Sequence, residues 1–270
     1  MKNPAVFFVL SLLLFSCEKL KEKQLIVENQ DIPLISKVII GTETYLEYTY
    51  NEANLPVEEK SKFHYTRHFY NDMNQITKSD FYWDISMASS SSSVIQAAMN
   101  RTEWVNPENT SKCISHEYVY NTDGQLIQKA FIRPFDNTPE YNSYTYESGR
   151  INRQTMYWKS GYMGYIDYIY NDKGNLIKEL RYDGLSAGIV SLSTTTEYEY
   201  DNMPNPYLAF KRLLTPGIFT NTNNITKETY TLNFEVDPFT EKVQVKTNSY
   251  EYNDLGYPVK INGLTEYIYK

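Results

Sequence analysis

The sequence predicts an all-β fold: an antiparallel meander of about a dozen strands built from repeated β-hairpins, forming a soluble barrel or a strongly curled sheet, with one short helix. Three observations predict it. A tyrosine pair at i and i+2 recurs before a polar turn along the chain. Four residues after the second tyrosine, or its equivalent, stand Asn54, Asn74, Gly124, Gly174 and Gly256, and only Gly and Asn readily accept the positive φ that a tight hairpin demands there. Tyrosine is also abundant, with 26 residues against 12 Phe and 3 Trp, which suits half-buried sheet surfaces. The rest of the composition narrows the class. At 270 residues, with 41% hydrophobic and 22% charged side chains, the chain can bury a sizeable core and is neither disordered nor a disulfide-stapled miniprotein. A net charge of −7 gives no electrostatic footprint for nucleic acid.

The first element is an export signal. Residues 1–17 read MKNPAVFFVLSLLLFSC, with Lys2 ahead of an apolar run from Ala5 to Phe15. Such a run is too short for a bilayer-spanning helix, which needs about 20 residues, and suits a secretory signal. Leu14-Phe15-Ser16-Cys17 resembles the bacterial lipobox, in which a small residue precedes the cysteine that is lipidated. Phe15 is bulkier than that pattern's usual residue. The expectation is a signal peptide over 1–16, a lipidated Cys17 opening a flexible charged tether over 17–33, and a single all-β repeat domain over 34–270. Lipidation of Cys17 leaves Cys113 as the one remaining cysteine, expected as a small buried residue without a disulfide.

The strands follow. Residues 34–40 and 44–50 read as the first two, and 81–87 as another. Tyrosine pairs stand at 48 and 50, 118 and 120, 144 and 146, 168 and 170, 198 and 200, 250 and 252, and 267 and 269, with a weaker copy at His68 and Tyr70. Their period is about 25 residues, with two intervals near twice that. The clearest unit is Tyr168-Ile169-Tyr170-Asn171-Asp172-Lys173-Gly174-Asn175-Leu176. Both rings share one strand face, Asn171 opens a type I turn, and Gly174 takes the left-handed position of a G1 bulge. Return strands begin at Leu126, at Leu176, or at the Pro56-Val57 and Pro258-Val259 steps. Tyr230, Leu232, Phe234 and Val236 read as one face of a further strand, with a turn over 237–240 and a return from Val243. Two stretches break the pattern. Ser89 to Ser93 is a serine run read as a loop, and Asn205-Pro206 caps and opens the one short helix, ending at Leu214 before Pro216-Gly217.

The pattern Tyr-x-Tyr-Asn/Asp-x-x-Gly-x-Leu at 118–126 and 168–176 resembles the YD repeats of Rhs proteins, whose repeats build curled antiparallel sheets around a hollow. Together with the lipobox, the segments Asp201-Asn-Met-Pro-Asn-Pro-Tyr207 and Asn223-Asn224-Ile225-Thr226 are also similar to a group of uncharacterised Bacteroidota lipoproteins, some described as having a porin-like fold. The resemblance implies an outer-membrane lipoprotein facing the cell surface or the periplasm, and it supplies no catalytic residues. Charges at Lys227, Glu228, Lys242 and Lys246 do not suit a lipid-facing strand, which needs one continuously apolar face.

Candidate chemistry is sparse. His64 and His68 would share a helix face, but on a strand they lie about 13 Å apart and lack clustered partners for zinc. Asp123, Asp172 and Asn175 are calcium-type ligands in loops too short for a cage. Glu197 and Glu199 share a strand face about 7 Å apart, and paired carboxylates of that kind can hydrolyse glycosides. The tyrosines are read first as cross-strand aromatic pairs. Trp83, Trp104 and Trp158 are the candidate ligand-binding residues, as aromatic platforms for a sugar or peptide. No metal or cofactor is expected. The functional expectation is a noncatalytic, lipid-anchored envelope module that binds a glycan, peptide or protein partner, or has a structural role. The alternative is an envelope polymer hydrolase using paired carboxylates.

Overall fold

A computed structural model describes residues 32–270 except 62–63, 84–105, 107, 109, 111, 135–139, 160, 187–188, 215 and 238. The signal peptide, Cys17, the tether before Ile32, the serine run and Trp104 lie outside the described residues. So does the part of the expected strand 81–87 beyond Trp83.

The chain forms one antiparallel sheet of 17 strands. They are β1 (Ile35–Ile40), β2 (Glu43–Tyr50), β3 (Pro56–Ser61), β4 (His64–Tyr70), β5 (Ile76–Trp83) and β6 (Lys112–Tyr120). Next come β7 (Leu126–Ile132), β8 (Glu140–Glu147), β9 (Arg150–Trp158), β10 (Gly161–Tyr170), β11 (Leu176–Ser186) and β12 (Ile189–Pro204). The last five are β13 (Asn223–Leu232), β14 (Val243–Thr247), β15 (Tyr250–Tyr252), β16 (Pro258–Ile261) and β17 (Thr265–Tyr269). The return strands expected at Pro56, Leu126, Leu176 and Pro258 are β3, β7, β11 and β16, and the remaining strands bring the total above a dozen. The expected strand through Phe234 and Val236 ends instead at Leu232, where Asn233 turns aside and its backbone N–H donates to Ser193 O at 2.8 Å. Val243 does open the return strand.

From β1 to β14 each strand pairs with the next. The exception to this sequential order is β1, which also pairs with β17, Val38 opposite Tyr267. β17 in turn pairs with β16, and β16 with β15. No ladder joins β14 to β15 among the described residues, so the sheet is strongly curled rather than closed. Its two end strands are nevertheless consecutive in the chain. The Asn248 N–H donates to Thr226 O beside β13, while Ser249 O accepts from the Asn262 N–H beside β16. One strand-like segment thus changes partner between Asn248 and Ser249.

The hairpin unit is as the turn chemistry requires. Asn54, Asn74, Gly124, Gly174 and Gly256 all have positive φ, between 58° and 89°. The register shifts at the second tyrosine, as at Val119/Tyr120 and Ile169/Tyr170, the bulge that accompanies this turn. The turn asparagine adds two bonds of its own. Asn171 Oδ1 accepts from the Lys173 and Asn175 backbone N–H groups, and Asn51, Asn71, Asn121 and Asn253 do the same.

The second tyrosine carries a further regularity. Its hydroxyl donates to the carbonyl at the start of a strand in the preceding hairpin. Tyr70 reaches Pro56 O at 2.8 Å, Tyr120 reaches Ile76 O at 2.8 Å and Tyr170 reaches Ile151 O at 3.0 Å. Tyr50 bonds Ile35 O, and Tyr200 bonds Leu176 O. The residues that accept are among the most buried in the protein, with Ile35, Ile76 and Leu176 at 0% exposure. Leu126, Ile151 and Leu176 pack with Tyr144 and Tyr168 in one core cluster, and Ile35, Val38 and Tyr267 form another.

The expected helix is a 3-10 helix, Pro206–Leu213, with Asn205 at its N-cap and Leu214 in the left-handed conformation at its C-cap. It lies in the 205–222 insertion that replaces the tight turn of the Tyr198-Tyr200 unit. The insertion packs on the face that carries the tyrosine pairs, here the inner face: Phe210 meets Tyr48 at 4.8 Å and Tyr207 meets Tyr267 at 5.7 Å between ring centroids.

Candidate functional site

Asp201 and Asn224 pin the two ends of the insertion together. The Asp201 carboxylate accepts from the Met203 and Asn224 backbone N–H groups and from the Asn224 amide, and from the Tyr252 hydroxyl. The segments 201–207 and 223–226, separate in sequence, therefore form one base. Asn205 closes the loop above it, its Nδ2 donating to Ile218 O and Asn221 O. Asn175, in the neighbouring turn, accepts from the Thr222 and Asn223 N–H groups and donates to Asn223 Oδ1.

Between this insertion and the inner face of β11 to β17 lies a cavity of about 540 Å³, within the 300–1,000 Å³ typical of small-molecule sites. Its sheet wall carries Glu179, Tyr198, Glu228, Lys246, Tyr250 and Tyr267. Asn221 and Ile218 are among the residues that the insertion contributes. The Tyr198 hydroxyl donates to Glu179 Oε1 at 2.9 Å. Burial raises the Glu179 carboxyl above its usual range, the Tyr198 bond opposes the shift, and the charge of Glu228 adds to it. Glu228 stands opposite both Tyr198 and Lys246 in the register. Strands β11 and β13 flank β12, with Glu179 opposite Thr196 and Glu228 opposite Tyr198, so their backbones lie about 12 Å apart across the sheet. Asn221 is fully buried. Its Oδ1 accepts from the Leu176 N–H at 2.8 Å.

The structure separates the residues singled out from sequence. Glu197 and Glu199 face outward, paired to Lys178 and Lys227, each at 2.7 Å, away from the cavity. Trp83 and Trp158 stand exposed at the ends of β5 and β9, and neither lines the cavity. Cys113 is half-buried on β6, its thiol 3.7 Å from Trp83 O. His64 and His68 do lie on a strand, β4. His64 meets Glu59 at 2.5 Å, and His68 Nδ1 meets Ser79 Oγ at 2.8 Å. His116 completes an inner row, in register with Ser79. Burial pulls His68 down to about 4 and His116 to about 3. No three metal-ligating side chains come together among the described residues.

The cavity carboxylates escaped the sequence reading because a strand pattern marks a face, not which face the insertion covers. Glu179 has the parity of the inward residues opposite it, Tyr168 and Thr196 in the register. That parity was the available signal.

The outer face carries ion pairs beside exposed apolar residues such as Val119, Ile169 and Ile268. Lys37–Glu47, Lys60–Glu58, Arg153–Asp167 and Lys260–Glu266 add to the two pairs above. Tyrosines outside the repeat stack there across strands, Tyr141 on Tyr157 at 4.5 Å and Tyr165 on Tyr182 at 4.6 Å.

No protein-family model matches the chain, and no curated protein matches it. Among solved structures it is similar to a porin-like protein from Bacteroides uniformis ATCC 8492, at 10% identity and TM-score 0.43 over 87% of this chain and 96% of that one. It is similar to a porin-like protein from Bacteroides vulgatus ATCC 8482, at 13% identity and TM-score 0.40 over 88% and 99% of the two chains. The structure of TcdB2-TccC3 without its hypervariable C-terminal region aligns at 11% identity and TM-score 0.20, over 79% of this chain and 13% of that one.

Proposed function

We propose that the protein is a noncatalytic, lipid-anchored envelope protein whose curled sheet holds a small polar ligand beneath the 205–222 insertion. The observation that carries the reading is the cavity of about 540 Å³, walled by polar and apolar groups alike, beside an insertion that is itself pinned at both ends. Carboxylates, carboxamides and phenols on that wall offer a ligand both hydrogen-bond donors and acceptors. Anchoring rests on the Leu14-Phe15-Ser16-Cys17 segment. Its role as a tether, rather than as an adjunct to a membrane-spanning barrel, is supported by the ion pairs on the outer face. Charges placed there at bilayer depth would cost about 2–4 kcal/mol for each Lys or Arg at the midplane.

Two experiments test the reading. In detergent phase separation, wild-type protein should enter the detergent phase and Cys17→Ala should stay in the aqueous phase; detergent partition of both would defeat the tether. Native mass spectrometry of protein recovered from its own envelope should show a bound small-molecule mass. Ile218→Trp, which adds bulk to the cavity wall, should remove that mass, whereas identical spectra of bare protein would defeat the binding reading.

A hydrolase is the second reading, now favoured at a different place. Glu179 and Glu228 line one cavity and the first has a raised carboxyl, the asymmetry that acid–base pairs use. Turnover of chromogenic glycosides by wild type, abolished in Glu228→Gln and retained in Glu197→Gln, would replace the noncatalytic reading with this one.

A further inference from the structure

We propose that the inner face of β4 to β8 binds a small organic acid with an apolar body, its carboxylate held by Lys129, at a site apart from the cavity beneath the insertion.

The unpaired charge comes first. Lys129 stands on β7 between Tyr118 of β6 and Asn142 of β8 in the register, so it shares the inner face with the tyrosine pair 118 and 120. Its ammonium lies 5.5 Å from the ring centroids of both Tyr118 and Phe131, and it makes no hydrogen bond or ion pair among the described residues. Ring faces attract a cation but leave its three N–H donors without a full acceptor. The carboxylates on the same face are committed. Glu59, opposite Tyr48 in the register, meets His64 at 2.5 Å, and Glu140, opposite Phe131, meets Arg133 at 2.6 Å. Burial pulls Lys129 down to about 8, and no carboxylate acts to raise it. It is still a cation at neutral pH, and a charge this deep calls for an anion that the chain does not supply.

The ammonium is also reachable. His116, Tyr118, Lys129, Phe131 and Asn142 each keep part of their surface exposed, whereas Leu126 and Tyr144, one step nearer the hairpin turns, are buried. This part of the inner face is therefore open above a packed floor.

The surroundings then choose among anions. One ammonium balances one negative charge. Burial keeps His116 and His68 neutral, with Lys129 adding to the effect at both, so a dianion such as phosphate would bring a charge that nothing there compensates. Phe81 and Phe131 flank the His116 ring at 4.4 and 4.7 Å between centroids and place apolar surface beside the ammonium. A cation would be repelled, and a neutral alcohol would leave the ammonium unbalanced. A carboxylate on an aromatic or aliphatic body answers both the charge and the rings.

The test is saturation-transfer NMR on the full chain with benzoate, benzyl alcohol and benzylamine, which share a body and differ in charge. Transfer to benzoate is expected, and inorganic phosphate at equal concentration should not displace it. Lys129→Met, similar in volume, should lower benzoate affinity by at least about tenfold, whereas Lys246→Met and Glu228→Gln at the other cavity should leave it unchanged. A second readout needs wild type alone: benzoate should slow the reductive methylation of Lys129, followed by peptide mass spectrometry, and benzyl alcohol should not. If Lys129→Met fails to fold, that rate decides by itself. Equal transfer to benzoate and benzyl alcohol, or displacement by phosphate, would overturn the ligand class. Benzoate binding that survives Lys129→Met, or that leaves methylation of Lys129 at its unliganded rate, would overturn the site. Absence of transfer to benzoate would overturn the proposal outright and leave the reading of the cavity beneath the insertion standing.

Discussion

The hydroxyl of the repeat's second tyrosine explains why the position is tyrosine and not phenylalanine. At Tyr120 the ring packs against the core cluster while its hydroxyl donates to Ile76 O at 2.8 Å, and Ile76 is fully buried. Tyr120→Phe therefore strands a carbonyl bond and should destabilise the fold by about 1–3 kcal/mol, read from urea unfolding. Tyr157→Phe should change it by less than about 0.5 kcal/mol, because that residue works through its ring, stacked on Tyr141. Equal losses at the two positions would refute the assignment. The inner histidines make a second prediction at this scale. At His68 burial is the main depressing effect, Glu59 opposes it and Lys129 adds to it; at His116 burial leads again, followed by Lys129 and His68. Both pKa values lie below the ordinary 6.5, at about 4 and about 3, so between those values and 6.5 the unfolded chain binds the extra protons. Stability is then present above pH 6.5 and lost on acidification. The loss from pH 6.5 to 5 should reach at most about 2 kcal/mol per histidine. Lys129, pulled down to about 8 by its burial, stays charged throughout that window. Urea midpoints at pH 7 and 5 check this, and His68→Gln with His116→Phe should flatten the difference.

At the scale of the element, the hairpin turns and the insertion obey different rules. A turn is governed by one left-handed residue. Gly174 has φ +89°, so Gly174→Ala should cost about 1 kcal/mol, while Asn54→Gly, at φ 58°, should be neutral within a few tenths. A thermal melt of both separates a conformational demand from a side-chain one. The insertion is governed by burial. Phe210 is 1% exposed and sits among Tyr48, Tyr207 and Phe219, so Phe210→Ala should cost about 3–5 kcal/mol, the largest loss expected of any single change here. This division also explains what could be read in advance. The turns were legible, since Asn171 and Gly174 state their geometry locally, and so was the start of the helix at Asn205-Pro206. The phenol-to-carbonyl bonds were not, because Tyr120 and Ile76 are 44 residues apart and nothing in either neighbourhood names the other. The cavity was legible only in part. Alternation put Tyr198 on the face of the rings, but Glu179 joins it only through the bulged register that sets it opposite Tyr168, and only the folded insertion shows which rings are covered. The indoles drew attention first because an exposed Trp resembles a platform wherever it stands.

For the whole molecule, the governing feature is that a meander of local pairings depends on one long-range seam. Each strand from β2 to β14 finds its neighbour within the next few turns of chain, which keeps the entropy of pairing low. The pairing of β1 with β17 joins Ile35 to Tyr269 and comes late by the same reasoning. This seam carries more than its ladder. Tyr267 meets Tyr207 of the insertion, Tyr269 donates to Pro258 O, and the Lys270 N–H donates to Leu34 O at 3.0 Å. Deleting residues 264–270 would leave Ile35, Val38 and Ile39 on an unpaired edge, a surface prone to association with other chains. It would also remove a wall of the cavity. The local hairpins should survive, so far-UV circular dichroism per residue should change little. The melting temperature should fall by on the order of 10 °C, corresponding to several kcal/mol for a chain of this size, and size-exclusion chromatography should show oligomers. A truncated chain that melts at the wild-type temperature as a monomer would mean that the hairpins hold the curl unaided and that the seam is incidental. Loss of the strand spectrum altogether would mean the opposite, that β1 and β17 must meet before the hairpins between them become stable.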